Sequence, residues 1–227
     1  MYQEVDGVQV VARELKRPLL ELRQLALGFD GGGAEDEAVR AEMVGVAERA
    51  MRQVDDLLKI QNLSRYGLEP IAVRAVCDEV LTEIDAMFGR KRCQMKVRYM
   101  NRQRLVKANA ELLKSVVYNF LLDATRYATD EMQTELIVRE TGQKVAVEVR
   151  DFGPSLPIDV WREVQNGTVG APSDIAMRPG SSVLGLYIAS KFSKYMQGEI
   201  SAVRHTDGTS FVIRLPVARQ ASIWGAV

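Results

Sequence analysis

Histidine is almost missing from this chain: His205 is the only one in 227 residues. Catalytic or metal-binding schemes built on paired imidazoles are therefore excluded. Cysteine is as scarce. Cys77 and Cys93 are too few and too unpatterned for a disulfide framework or a zinc site, and read as reduced thiols. There is no charge surplus either, because 30 basic and 30 acidic residues cancel. No global field favours nucleic acid or an anionic membrane. Apolar runs fall far short of the ~20 residues that a membrane helix needs. The opening Met-Tyr-Gln-Glu-Val-Asp has neither a basic region nor an apolar signal core. These absences predict a cytoplasmic protein without membrane insertion. What is present, 47% hydrophobic and 26% charged residues, is ordinary for a globular core.

The apolar residues fall into two regimes. Val5, Val8, Val11, Leu15, Leu19, Leu22 and Leu25 recur at spacings of three and four, which predicts a helix from about Gln3 to Leu27. Pro18 lies inside it and predicts a kink. Gly28-Phe29-Asp30-Gly31-Gly32-Gly33 ends it. Val39, Met43, Val46, Ala50, Val54 and Leu57 predict a second helix over about Glu35–Arg65. Residues 1–66 thus read as an antiparallel helical hairpin. One such hairpin leaves apolar positions uncovered, and a homodimeric four-helix bundle covers them; packing on the rest of the chain is the alternative.

Tyr66–Pro70 reads as a linker to a second domain, residues 67–227. There helices are predicted at Ala75–Phe88, Ala110–Tyr127, Pro157–Asn166 and Val183–Met196. Strands are predicted at Gln94–Tyr99, Arg104–Ala108, Glu135–Glu140, Lys144–Arg150, Glu199–Val203 and Ser210–Leu215. Residues 152–182, dense in Pro, Gly and Ser, read as a long loop holding the short helix. The fold class is α+β: a helical hairpin followed by an α/β sandwich, with a mixed sheet covered by helices on one face.

Four segments carry candidate chemistry. Ala12-Arg13-Glu14-Leu15-Lys16-Arg17-Pro18-Leu19 lies in the first helix. Asn119 and Asp123, four apart in Val117–Tyr127, share a helix face. Asp151-Phe152-Gly153 ends a strand. Gly180–Ile188, containing Leu184-Gly185-Leu186, opens a helix, and the closing hairpin carries Gly208-Thr209. In this order the segments resemble the catalytic core of sensor histidine kinases: a dimerisation and phosphotransfer hairpin followed by an ATP-binding domain of the gyrase, Hsp90 and histidine kinase type. The resemblance covers roughly residues 5–217.

The resemblance implies site residues one by one. Arg13 occupies the phosphoacceptor position, and a guanidinium, protonated at any ordinary pH, cannot replace a neutral imidazole nitrogen as nucleophile. Glu14 matches the acidic residue that serves as base or orients the histidine. Arg17 replaces the residue that positions water for dephosphorylation. Arg13, Lys16 and Arg17 are either a solvated basic face or a docking patch for a partner's carboxylates. Asp123 stands at the Mg²⁺-binding position, and Arg126 and Tyr127 follow in the same box with Asn119. Asp151 matches the acceptor for the adenine amino group, Gly153 the close approach to the base, and Thr209 a water-mediated adenine contact. Gly185 is kept in the phosphate loop, but Ser181 and Val183 replace its other glycines, and Ser155 replaces a glycine after Asp151.

Two functions follow. One is a two-component signalling protein that does not autophosphorylate and acts as a dimeric docking or regulatory pseudokinase, with a response regulator or another histidine kinase as partner. The other is an active kinase or ATPase using ATP and Mg²⁺, with ADP as product, on an acceptor supplied in trans. A purely structural dimer would leave Asp151, Gly153, Asn119 and Asp123 without a purpose.

Overall fold

The computed structural model describes residues 16, 18–28, 34–88, 95–129, 133–169, 178 and 182–218. Arg13, Glu14, Arg17, Cys93, Gly180, Ser181 and the glycine cluster at 31–33 lie outside the described residues, as does the predicted first helix before residue 16.

Residues 18–27 are helical (α1) and α2 spans Ala34–Gln61. It stops short of the predicted Arg65: Asn62 Nδ2 donates back to Leu58 O at 3.0 Å, and a 3₁₀ turn, Leu63–Arg65, follows. The remaining helices are α3 (Val73–Phe88), α4 (Ala110–Thr125), α5 (Ile158–Asn166) and α6 (Val183–Tyr195). Seven strands follow in chain order: β1 (Glu69–Ile71), β2 (Met95–Met100), β3 (Val106–Ala108), β4 (Thr134–Thr141), β5 (Lys144–Asp151), β6 (Glu199–His205) and β7 (Gly208–Pro216). Five form a mixed sheet in the order β2-β4-β5-β7-β6. The β2–β4 pair is parallel and the others antiparallel.

Two expectations are corrected. The linker contains a strand, β1, which pairs antiparallel with β3. Pro70 is tolerated there because β1 is the edge strand of this ribbon. The strand expected from Arg104 begins only at Val106. The Arg104 backbone N–H donates to Glu140 Oε2 at 2.8 Å, and its guanidinium to Glu140 Oε1 at 2.7 Å and Gly142 O at 2.6 Å. These bonds anchor the approach to β3 on the β4–β5 turn instead of extending the ladder.

The core lies on one face of the sheet. Val145, Val147 and Val149 of β5 alternate inward and are buried with Leu136, Val138, Phe211 and Ile213. The other face carries ion pairs such as Arg139–Glu148 and Arg98–Glu135, the alternation expected of a sheet with one solvated side. Helix α4 is buried nearly all round, through Leu112, Leu113, Val116, Val117, Phe120, Leu121 and Ala124, because α3, α6 and the sheet pack against it. Its start is fixed by Asn109, whose side chain accepts from the Leu112 N–H at 3.2 Å and donates to Gly67 O at 3.0 Å.

Helix α2 is fastened to this domain by polar contacts. Asp56, 1% exposed, accepts from Ser115 Oγ of α4 at 2.8 Å and from Lys59 Nζ at 3.0 Å. Arg52 pairs with Glu83 of α3 at 3.1 Å and lies over the Tyr118 ring at 3.9 Å. Tyr195 Oη donates to Tyr66 O at 2.8 Å. Replacing Asp56 by Ala removes the acceptor, but Ser115 Oγ keeps Glu111 O at 3.2 Å and Lys59 reaches solvent. The expected cost in urea unfolding is therefore moderate, about 1–2 kcal/mol. An unchanged midpoint would show that this contact does not hold α2 to α4.

Candidate functional site

A cavity of about 580 Å³ opens between α1, α2, α4 and α6. Lys16, Glu21 and Gln24 line it from α1 and its approach, Arg49 and Gln53 from α2, Asn119, Asp123 and Arg126 from α4, and Ser182 and Gly185 from α6. The structure thus brings Lys16 of the basic segment to the same space as four of the sequence-predicted residues. Asn119 Nδ2 donates to Ser115 O at 2.9 Å. A Cβ on Gly185 would stand 3.0 Å from Asn119 Oδ1, so α6 approaches α4 closely there. Ser182 caps α6, its side chain accepting weakly from the Gly185 N–H at 3.4 Å. Val183 begins α6 with helical backbone. Valine at a glycine position of the phosphate loop therefore meets no positive φ, which among the described non-glycine residues only Asn101 and Gln197 have.

The remaining predicted residues gather at the end of β5. Asp151 is 2% exposed, and its Oδ1 accepts from the Gly153 N–H at 2.9 Å. A Cβ on Gly153 would lie 2.3 Å from the Tyr127 ring, so only glycine fits beneath that ring. Gly208, at φ 154°, passes so close to Asp151 that an added Cβ would lie 2.0 Å from its carbonyl oxygen. Thr209 is fully buried and its hydroxyl accepts from the Leu156 N–H at 3.1 Å. Ser155, where a glycine was expected, donates to His205 O at 2.5 Å, and His205 Nε2 meets Ser210 Oγ at 2.9 Å. These bonds give His205 and Ser155 places in the closing hairpin.

The residue that sequence reasoning missed is Arg178. It is 3% exposed, and its guanidinium lies between the two carboxylates. Nη1 donates to both Asp151 oxygens at 2.8 Å and to Pro154 O at 3.3 Å. Nη2 donates to Asp123 Oδ2. The guanidinium carbon sits 4.7 Å from the Tyr127 ring centroid and 5.7 Å from that of Phe211. Burial weighs against the Arg178 charge, but Asp123 and Asp151 more than offset it and hold its pKa above the ordinary value. Burial pushes the Asp151 carboxyl up, against the pull of Arg178. No spacing signalled Arg178, which lies in the Pro-, Gly- and Ser-rich stretch away from every motif.

By residue type, the site matches Mg²⁺ and an aminopurine nucleotide: hard oxygen ligands at Asn119 and Asp123, and a buried acceptor at Asp151. As arranged, it does not fit them. Arg178 already holds both Asp151 oxygens and Asp123 Oδ2, so a base amino group or a cation would have to compete with its guanidinium. Among the described residues, no group of three or more His, Cys, Asp or Glu forms a ready-made metal site, and no helix is long and apolar enough to cross a membrane.

Comparison with known proteins places this geometry. Residues 108–219 match the family of histidine kinase-, DNA gyrase B- and HSP90-like ATPases. The chain is 27% identical over 192 residues to the adaptive-response sensory kinase SasA of Synechocystis sp., covering 80% of this chain and 50% of that protein. It is 20% identical over 223 residues to the histidine protein kinase SaeS of Staphylococcus epidermidis, covering 94% and 63%. It therefore spans half of the one relative and less than two thirds of the other. Among solved structures, the histidine kinase ThkA in complex with the response regulator protein TrrA superposes with a TM-score of 0.62 at 14% identity, over 92% of this chain and 60% of that one. The Acinetobacter baumannii histidine kinase AdeS gives 0.61 at 16% identity, over 91% and 98%. Residues 108–219 thus share the fold of these kinases and match the model of histidine kinase-, DNA gyrase B- and HSP90-like ATPases.

Gly153→Ala is expected to cost about 1–3 kcal/mol by crowding the Tyr127 ring. In a Tyr127→Ala background the cost should largely vanish, as read by urea unfolding of the four proteins. Equal costs in both backgrounds would contradict the contact.

Proposed function

We propose that this chain is a two-component signalling protein of the histidine kinase type that does not phosphorylate itself and acts as a dimeric docking or regulatory pseudokinase. The observation that carries this reading is Arg178 on Asp123 and Asp151, which ties up the two carboxylates that nucleotide and Mg²⁺ require. The sequence adds Arg13 at the phosphoacceptor position. In-line phosphoryl transfer needs a positioned acceptor and metal-bridged phosphates, and this chain offers neither as arranged.

Docking through the hairpin is supported by its surface. Val44, Met51, Val54 and Leu58 are exposed on α2, at spacings of seven, three and four that fall along one stripe. Leu19, Leu20 and Leu27 are exposed on α1. A second copy would cover such a surface with a four-helix bundle. A response regulator is the proposed second partner: ThkA is a fold neighbour seen with one, and the basic segment containing Lys16 suits an acidic surface.

The close fits of Gly153 under Tyr127 and Gly185 against Asn119 favour a second reading, in which the core still uses ATP and Mg²⁺ on an acceptor supplied in trans. Incubating the full chain with γ-labelled ATP and Mg²⁺ separates the two. No label on the chain above a heat-denatured control, together with a dimer by sedimentation equilibrium at micromolar concentration, is the expected result. Label on the chain itself would overturn the pseudokinase, and a monomer would remove the bundle.

A further inference from the structure

We infer that Arg178 is an internal competitor for the nucleobase subsite, so that the affinity of this core for nucleotide is set by the displacement of that one side chain. The inference rests on the second reading above, in which the core still takes a nucleotide.

The argument is one of complementarity. An aminopurine offers a planar face, and an exocyclic N–H for a buried carboxylate. Arg178 offers the same features: a planar guanidinium near the Tyr127 and Phe211 rings, and N–H groups at 2.8 Å from both Asp151 oxygens. It also reaches Asp123, so one cation satisfies the base-binding carboxylate and the metal-position carboxylate together. A base that takes Asp151, and a cation that takes Asp123, must evict the same group.

The seat is strong but incomplete. Buried charge-assisted bonds from a guanidinium fork are among the firmest a protein makes. Yet Arg178 Nε, itself buried, meets no acceptor among the described residues, and an unmet buried donor is costly. Eviction returns the charge to water and offers Asp123 to a cation, so the seat is exchangeable. A site whose competent form is a minor population binds with an affinity reduced by that fraction. If Arg178 keeps its seat about nine-tenths of the time, apparent affinity falls about tenfold.

The test is calorimetric titration of the full chain with ADP, with and without Mg²⁺, for wild type, Arg178→Gln and Arg178→Lys, each checked for folding by circular dichroism. The expectation is that Arg178→Gln binds ADP about tenfold tighter than wild type, that Arg178→Lys falls between, and that Asp151→Asn added to Arg178→Gln removes the gain. Equal or weaker binding by both folded variants overturns the competitor while leaving the nucleotide site in place. No binding by any folded variant at millimolar ADP overturns both. Should Arg178→Gln misfold, Arg178→Lys and the wild type decide. Phenylglyoxal labelling read by mass spectrometry should find the wild-type Arg178 protected without ADP and modified at the highest ADP. An Arg178 that stays protected while ADP is bound contradicts displacement.

Discussion

Two carboxylates that meet at one buried guanidinium form the constraint around which the rest of the site is arranged. Asp151 ends a buried strand, and the Asp123 side chain, 16% exposed, projects from the last turn of α4 toward it. Like charges so placed raise each other's energy and must be neutralised by a proton, a metal or a protein cation. Here the cation is Arg178, and its presence orders the neighbourhood. Tyr127 lies near it and covers Gly153, while Phe211, stacked on Phe120 with centroids 5.4 Å apart, closes the other side. The ends of α4, β5 and β7 meet around one guanidinium.

That arrangement gives the resemblance to histidine kinases a specific physical content. Residues 108–219, which match the histidine kinase-, DNA gyrase B- and HSP90-like ATPase model, carry the glycine under the tyrosine and the strand-end aspartate, and Arg178 balances the charges of Asp123 and Asp151. Helix α2 is joined to the rest of the structure in the same manner. Asp56, Arg52 and Tyr66 link α2 and the turn after it to α4, α3 and α6 through hydrogen bonds and an ion pair. The cavity lined by Lys16, Arg49 and Arg126 as well as Asp123 puts Lys16 on the same space as the α4 carboxylate.

Much of the fold was legible from local rules. Three- and four-residue spacing located α2, α4 and α6, and alternation located β4 and β5, because each buries a single face or is buried all round. Asp151-Phe152-Gly153 was found because a strand ending in Asp-x-Gly before a loop is a local pattern. What escaped depended on partners distant in sequence. β1 reads as linker because its ladder among the described residues is with β3, 37 residues away at the Pro70–Lys107 pair. The late start of β3 reflects Glu140 drawing Arg104 away. Arg178 had no pattern at all: one cation among prolines and serines acquires its meaning only when the chain folds and places it between two carboxylates from α4 and β5.

The most direct test of the account is nuclear magnetic resonance of the guanidinium groups in the full chain labelled with ¹⁵N-arginine, with Arg178→Gln for assignment. A guanidinium held by two carboxylates in a buried pocket rotates and exchanges slowly, so the account predicts separate, protected Nη signals at neutral pH that vanish in the variant. Fast averaging of every arginine, with no resolved signal lost on substitution, would show that Arg178 does not occupy this seat in solution.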